Sequence, residues 1–273
     1  MRMARVLNTL PLLALVTLLP RAAMAQNTWN NWDENWSRGC DEDANRPGRF
    51  CEDRVARIAA PRLLTVNGGE TGAVSVRAWD GNDVEVRQRI QAWAGSSDEA
   101  RQLAQQVRVR TEGGSISATG PAASGHRGYT VSYLVLVPRR MDLRVETHNG
   151  PLAVNGVTGR MELTALNGPL DLHSVGGDVR ARVESGPLSV TLSGQHWNGA
   201  GLDAQASNGP VALSVPRGFA ATLTTGTNNG TMIVDLPGIR ENGVARQFTT
   251  RLGGGGAPVR VVSINGPVVV RGG

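Results

Sequence analysis

The chain has 273 residues, 40% of them apolar but only 4% aromatic, with 35 glycines and a formal net charge of +5. So few aromatics and so many glycines suit short strands joined by tight turns and argue against a helical bundle. All 28 basic residues are arginine, which reads as the codon bias of a GC-rich genome before it reads as a choice of bidentate anion contacts, and nucleic acid is not an implied partner.

Residues 1–25, MRMARVLNTLPLLALVTLLPRAAMA, begin with Arg2 and Arg5, continue as an apolar run from Val6 to Leu19 and end on Ala23-Met24-Ala25. This is the pattern of a secretory signal peptide, cleaved after Ala25. The run is short for a membrane span and is broken by Pro11 and Pro20. The mature chain is therefore expected to carry no transmembrane anchor and to work in the periplasm or outside the cell. Losing the leader's three arginines takes the charge from +5 to +2.

Residues 26–57 form an acidic arm rich in tryptophan. Trp29, Trp32 and Trp36 recur at near-helical spacing; they offer an aromatic patch for a glycan or a partner, or else a short helical arm folded onto the body. Cys40 and Cys51 are the two cysteines of the chain. In an exported protein they are expected to form a disulfide, whose short loop contributes about 2–3 kcal/mol. Asp41, Glu42, Asp43, Glu52 and Asp53 lack the EF-hand spacing for calcium and read as a solvated loop.

Residues 58–138 open with period-two alternation. Val74, Val76 and Ala78, then Val84, Val86, Gln88 and Ile90, flank the turn Asp80-Gly81-Asn82-Asp83. The expectation is a β-hairpin with Arg77, Arg87 and Arg89 outward. SSDEARQLAQQV predicts one short helix with Ser97 as N-cap, Asp98 and Glu99 in its first turn, and Ala100, Leu103, Ala104 and Val107 as its apolar face. TVSYLVLVP predicts a strand buried on both faces, ended by Pro138.

Residues 139–273 repeat one phrase. Gly150, Gly168, Gly186, Gly209, Gly230 and Gly266 are spaced by 18, 18, 23, 21 and 36 residues. Two positions past each glycine stands Leu152, Leu170, Leu188, Val211, Met232 or Val268; four past stands Val154, Leu172, Val190, Leu213, Val234 or Val270. The position between is variable and is expected to face solvent, as at Asp171. A second strand fits each gap, and a weaker echo stands at Gly114, Ile116 and Ala118. A meander of hairpins or a β-solenoid of ~18-residue coils could write this pattern. The prolines after the glycines (Pro151, Pro169, Pro187, Pro210 and Pro267) have no N–H for a two-residue hairpin turn, which favours the solenoid. Asn149, Asn167, Asn208, Asn229 and Asn265, with Ser185 in the third copy, would then stack as a ladder of amides. The segment 237–258 interrupts the period, as a degenerate coil or an excursion. The expected fold class is all-β, a β-helix-like solenoid capped by the N-terminal hairpin and the one helix.

VPRRMDLRVETHNGPLAVNGVTG, with the repeated NGPL and GGDV phrases, resembles the bacterial DUF4097 putative-adhesin family over about residues 60–273. The resemblance implies an exported, envelope-associated β-strand repeat protein. It defines no binding or catalytic residues to carry over, and the tryptophan-rich arm lies outside it.

The chemistry of catalysis is not legible. His126, His148, His173 and His196 do not share a column, and no HExxH, GxSxG, Walker A or CxxC occurs. Asp171 would stack between Ala153 and Ser189, and Asp178 between Arg160 and His196, so no carboxylate pair of the glycosidase kind forms. Arg108, Arg110, Arg180 and Arg182 point outward, as a soluble rim or an anion-binding surface. No enzyme activity, cofactor or metal is expected. The reading is a binding scaffold or adhesin whose partner is an envelope protein, a glycan or a surface. The alternatives are a periplasmic sensor or regulatory module of a membrane protein and a polysaccharide-active β-helix enzyme.

Overall fold

The structure is a computed structural model that describes Trp36, Cys40 and residues 46–273. The expected signal peptide, Trp29, Trp32, and the acids Asp41, Glu42 and Asp43 lie outside the described residues. Among the described residues no helix is long and apolar enough to cross a membrane.

The body is all-β in character: two sheets, rich in parallel pairs, with their apolar faces turned to each other. The repeat region alternates between them. β8 (Asp142–Asn149), β10 (Thr158–Asn167), β12 (Gly176–Ser185) and β14 (Gly201–Asn208) lie side by side in sheet B. β9 (Leu152–Asn155), β11 (Leu170–His173), β13 (Leu188–Thr191) and β15 (Val211–Val215) lie side by side in sheet A. Each strand pairs in parallel with its equivalent one circuit away: Leu152 with Leu170, Leu170 with Leu188, and Leu188 with Val211. All twelve apolar positions that follow the turn glycines are buried. Across the core they meet the inward residues of sheet B, such as Leu143, Met161, Val179 and Leu202. Burying one such side chain is favourable by roughly 1.5–3 kcal/mol. A single circuit has only a handful of them, so it depends on the strands above and below it for shelter and for hydrogen bonds.

The corner between the sheets explains the prolines. The amide of Gly168 donates to Ser185 O at 2.9 Å, and that of Leu170 to Pro187 O at 3.0 Å. The proline between them has no donor, and the corner asks for none. The glycine is required by close approach: a Cβ on Gly209 would run into the carbonyl oxygen of Gly186, and one on Gly186 into that of Gly168.

Both ends depart from chain order. β20 (Pro258–Asn265) inserts between β14 and β16 (Ala221–Asn229), and β21 (Val268–Gly272) between β15 and β17 (Thr231–Leu236). The spacing of 36 from Gly230 to Gly266 is therefore not two stacked coils. The intervening β18 (Ile239–Val244) and β19 (Gln247–Leu252) run antiparallel to β17 and β16 and form the last strand of each sheet. Segment 237–258 is thus an excursion that covers the end of the stack.

At the other end, β2 (Leu63–Asn67) and β3 (Val74–Trp79) make a circuit of their own. β6 (Ser115–Thr119) and β7 (Gly128–Pro138) lie outside it, although they follow it in sequence. The expected hairpin does not form. β7 sits between β3 and β4 (Asp83–Trp93), parallel to the first and antiparallel to the second. The long apolar run of β7, with Val131, Tyr133, Leu134, Val135 and Val137 buried, takes the central place, and the polar-faced β4 moves outward. Gly114 leads into β6 of sheet B and does not join the corner column. That place belongs to Gly72, whose carbonyl a Cβ on Gly150 would strike.

β1 (Arg49–Ala59) pairs antiparallel with β4 along eleven residues and runs through the expected boundary at residue 57. The helix α1 (Ser97–Gln106) packs Ala100, Leu103 and Ala104 against β1 and β4. Its N-cap is Ser96, whose side chain accepts from the Glu99 amide at 3.2 Å. The expected cap, Ser97, instead accepts from the Gly48 amide at 3.2 Å. β5 (Arg108–Arg110) finishes sheet B beside β6.

Candidate functional site

The asparagines that precede the corner glycines share one register line in sheet B: Asn149, Asn167, Ser185, Asn208, Asn265 and Asn229. Asn167 donates to Asn149 at 3.1 Å, Asn265 to Asn208 at 3.0 Å and Asn229 to Asn265 at 2.8 Å. At Ser185 the line breaks, and Asn208 donates to the Glu184 carbonyl at 3.2 Å. These groups hold the corner together through one another and through the backbone carbonyls of Glu70 and Glu184.

The outward face of sheet B is a second ordered array. Arg144, Glu162, Arg180, Asp203 and Arg260 are cross-strand neighbours, so the charges alternate along the stack. Arg144 pairs with Glu162 at 2.8 Å; Arg182 and Arg260 pair with Asp203 at 2.6 and 2.7 Å. Asp203 is desolvated, which opposes its ionisation. Hydrogen bonds from Arg182 and Arg260 outweigh that, and its carboxyl titrates below the ordinary value. Asp178 stands between Arg160 and Arg180, at 3.9 and 3.8 Å. Its neighbour on the next strand is Gly201 and not His196, because five extra residues in that circuit carry His196 into the connection. There Trp197 is buried, and its indole donates to Gly177 O at 3.0 Å. Arg144, Arg160, Arg180, Arg182 and Arg260 of this face thus each stand within 4 Å of a carboxylate.

The outward face of sheet A is covered near its N-terminal end. Arg89, expected to face solvent, is 7% exposed and pairs with Asp53 at 2.8 Å. Its guanidinium lies 4.6 Å from the Trp36 ring and donates to the Trp36 carbonyl at 3.1 Å. Arg57 lies over Trp79 at 5.8 Å, and Arg49 over Trp93 at 5.5 Å. Glu85, also buried, takes hydrogen bonds from Arg87 and Arg57 that hold its carboxyl below the usual range. Cys40 and Cys51 are joined by a disulfide with their Cα atoms 5.4 Å apart, which ties the segment carrying Trp36 to β1. Trp36 therefore spends its ring on the protein's own arginine. Neither Glu85 nor the Trp79 and Trp93 stacks are singled out by the sequence: Arg49 and Trp93 are direct cross-strand partners, whereas Arg57 and Trp79 stand on strands separated by β4 and β7.

The remaining titratable groups do not converge. His126, His148 and His196 are exposed and His173 is half-buried, where burial lowers its pKa. Among the described residues one cluster has potential metal ligands, Cys40, Cys51 and Asp53, but its two sulfurs are bonded to each other. A groove of about 400 Å³ at the corner near β3 is open and polar, with Glu70, Glu146 and His148 along it.

No family model matches the sequence, and no curated protein matches it. Among solved structures, the chain is similar to a putative cell adhesion protein from Clostridium sporogenes at 7% identity and a TM-score of 0.44, over 84% of this chain and 100% of that one. It is also similar to a putative adhesin from Bacteroides fragilis at 8% identity and a TM-score of 0.32, over 81% and 97% of the two chains. A third is a putative lipid binding protein from Parabacteroides distasonis at 11% identity and a TM-score of 0.28, over 82% and 96%.

Proposed function

We propose that the chain is an exported, non-enzymatic two-sheet β-solenoid of the DUF4097 adhesin type, serving as a binding scaffold at the cell envelope. The observation that carries this reading is the outer face of sheet B, an uncovered run of parallel strands bearing matched, alternating charges from Arg144 to Arg260. At about 4.8 Å per strand it offers a flat, hydrated, extended surface, suited to an extended polymer or to a partner's sheet. The space between the sheets is filled by aliphatic side chains, and Glu162, Asp178 and Asp203 on the outer face each stand beside arginine. Neither arrangement provides an acid–base pair around a substrate. The basic, apolar leader and the Cys40–Cys51 disulfide support export.

The test is binding of the disulfide-bonded chain to purified peptidoglycan and, separately, to membrane vesicles. The Arg144→Glu and Arg180→Glu double variant disrupts the charge alternation at two exposed positions. Reduced binding with an unchanged circular dichroism spectrum supports the reading. Retention equal to that of the unaltered chain removes this face as the contact surface.

A further inference from the structure

We propose that a recess on the outward face of sheet B, between Gln205 and Gln247, binds the acetamido group of an N-acetylated glycan. The site rests on the reading that this outer face makes the contact, and it names what one part of the face recognises.

The recess follows from one row of side chains. Thr164, Arg182, Gln205, Val262, Gly226 and Gln247 are successive cross-strand neighbours. Charge stops at Arg182. Beyond Gln205 the row sinks, because Val262 is short and Gly226 has no side chain. A Cβ on Gly226 would strike the carbonyl oxygen of Arg246, so the backbone itself fixes the notch. Val262 alternates with Val261, which lies in the core; Val262 is 5% exposed and does not join the core. The notch is a recess of about 150 Å³, bordered also by Arg260, Ile264 and Asn228. That is the share of about five waters in the liquid. Gln205 and Gln247 stand three strands apart, about 14 Å.

The lining selects the ligand. No carboxylate borders the recess, so it offers nothing to a cation. Its one charged group is Arg260, which donates to Asp203 at 2.7 Å and to Gln205 at 3.4 Å. That charge is already answered, so a free anion is not the match. What remains is three primary amides around an apolar floor. Asn228 and Gln247 are exposed and Gln205 is half-buried, and each amide both donates and accepts. An acetamido group has the same two parts. Its methyl suits Val262 and Gly226, and its carbonyl and N–H suit the glutamines. The recess takes the edge of one sugar, and the rest of the polymer stays on the flat face.

The probes are the tetramer of N-acetylglucosamine, the equally linked tetramer of glucose and an N-acetylated tetra-alanine peptide, each titrated into the disulfide-bonded chain by calorimetry. The acetylated tetramer should bind at least about tenfold more tightly than the other two. Gln205→Ala with Gln247→Ala should remove most of that preference and leave the circular dichroism spectrum unchanged. In the unaltered chain, magnetisation transferred from protein to the acetylated tetramer should be strongest at its acetamido methyl. Equal affinity for the two tetramers, binding of neither, or an unchanged preference in the double variant overturns the proposal. Equal affinity for the peptide overturns it in favour of a polypeptide ligand. The two readings fail separately. Peptidoglycan binding that survives Arg144→Glu with Arg180→Glu removes the charged run and leaves the acetamido preference standing. Peptidoglycan binding lost in that variant, with no preference for the acetylated tetramer, does the reverse.

Discussion

Asn265 donates its side-chain amide to Asn208 at 3.0 Å and accepts from Asn229 at 2.8 Å, so the last of the three in sequence is the middle one in space. The closing circuit of the chain is clamped between two that were laid down before it. Deleting residues 258–273 would strip β14, β15, β16 and β17 of a partner each. Loss of the cooperative unfolding transition is the expected outcome, read by circular dichroism on thermal melting. A truncated chain that melts as sharply as the whole would contradict this.

Ser185 interrupts an otherwise regular amide line. In Ser185→Asn the new side chain could accept from Asn208 and donate to Asn167, replacing the detour to the Glu184 carbonyl. The variant should be more stable by about 0.5–1 kcal/mol, and Asn265→Ala less stable by about 1 kcal/mol or more, since it ends two hydrogen bonds. Denaturant midpoints measured at a constant m-value check both.

Strand facing can be tested at two adjacent residues. Met232 is 0% exposed and Ile233 is 43% exposed. Met232→Ala should cost about 2–5 kcal/mol and Ile233→Thr about 0.5 kcal/mol or less. Leu170→Asp, which places a charge in the core, should prevent folding altogether. Similar melting temperatures for the Met232 and Ile233 variants would reverse the assigned faces.

The corner glycines are fixed by a backbone carbonyl that cannot step aside. Gly209→Ala directs its methyl at the carbonyl of Gly186 from a φ of +157°, whereas a Cβ on Gly254 meets nothing within 4 Å. The first should destabilise by more than about 2 kcal/mol and the second by about 0.5 kcal/mol at most. Thermal melts of the two single variants make the comparison.

Asp203 predicts an acid dependence. Its carboxyl titrates lower when folded than when unfolded, so the unfolded chain takes up that proton first as the pH drops. The stability its arginine pairs provide is complete above the ordinary carboxylate range and disappears as the pH falls through the depressed folded value. The melting-temperature gap between the unaltered chain and Asp203→Asn should be widest near neutral pH and close in acid. A gap that widens in acid would refute the assignment.

Much of the inner face was legible in the sequence, because Leu152, Leu170 and Leu188 obey a period that only a buried strand face imposes. The amide line was legible for the same reason: a side chain repeated at one point of each phrase must meet its copies if equivalent strands pair. The lateral order of strands was not. Val74–Trp79 and Asp83–Trp93 are separated by a turn sequence, and neither carries a mark that β7 will enter between them. Gly72 escaped notice because its phrase lacks the asparagine and the proline. The ion pair of Arg260 with Asp203 spans 57 residues and exists because the closing circuit is threaded back into the stack. Asp171, expected to face solvent, is 5% exposed, because alternation distinguishes the two sides of a sheet without saying whether the second side is covered.

The inverted placement of circuits at both ends bears on how such a molecule can change in size. A duplicated phrase appended at either terminus would have to part strands that already hold each other. One duplicated between Gly150 and Gly209, where chain order and spatial order coincide, adds a storey without disturbing the roof or the foundation. Descendants of this gene that differ in length should therefore differ in the middle.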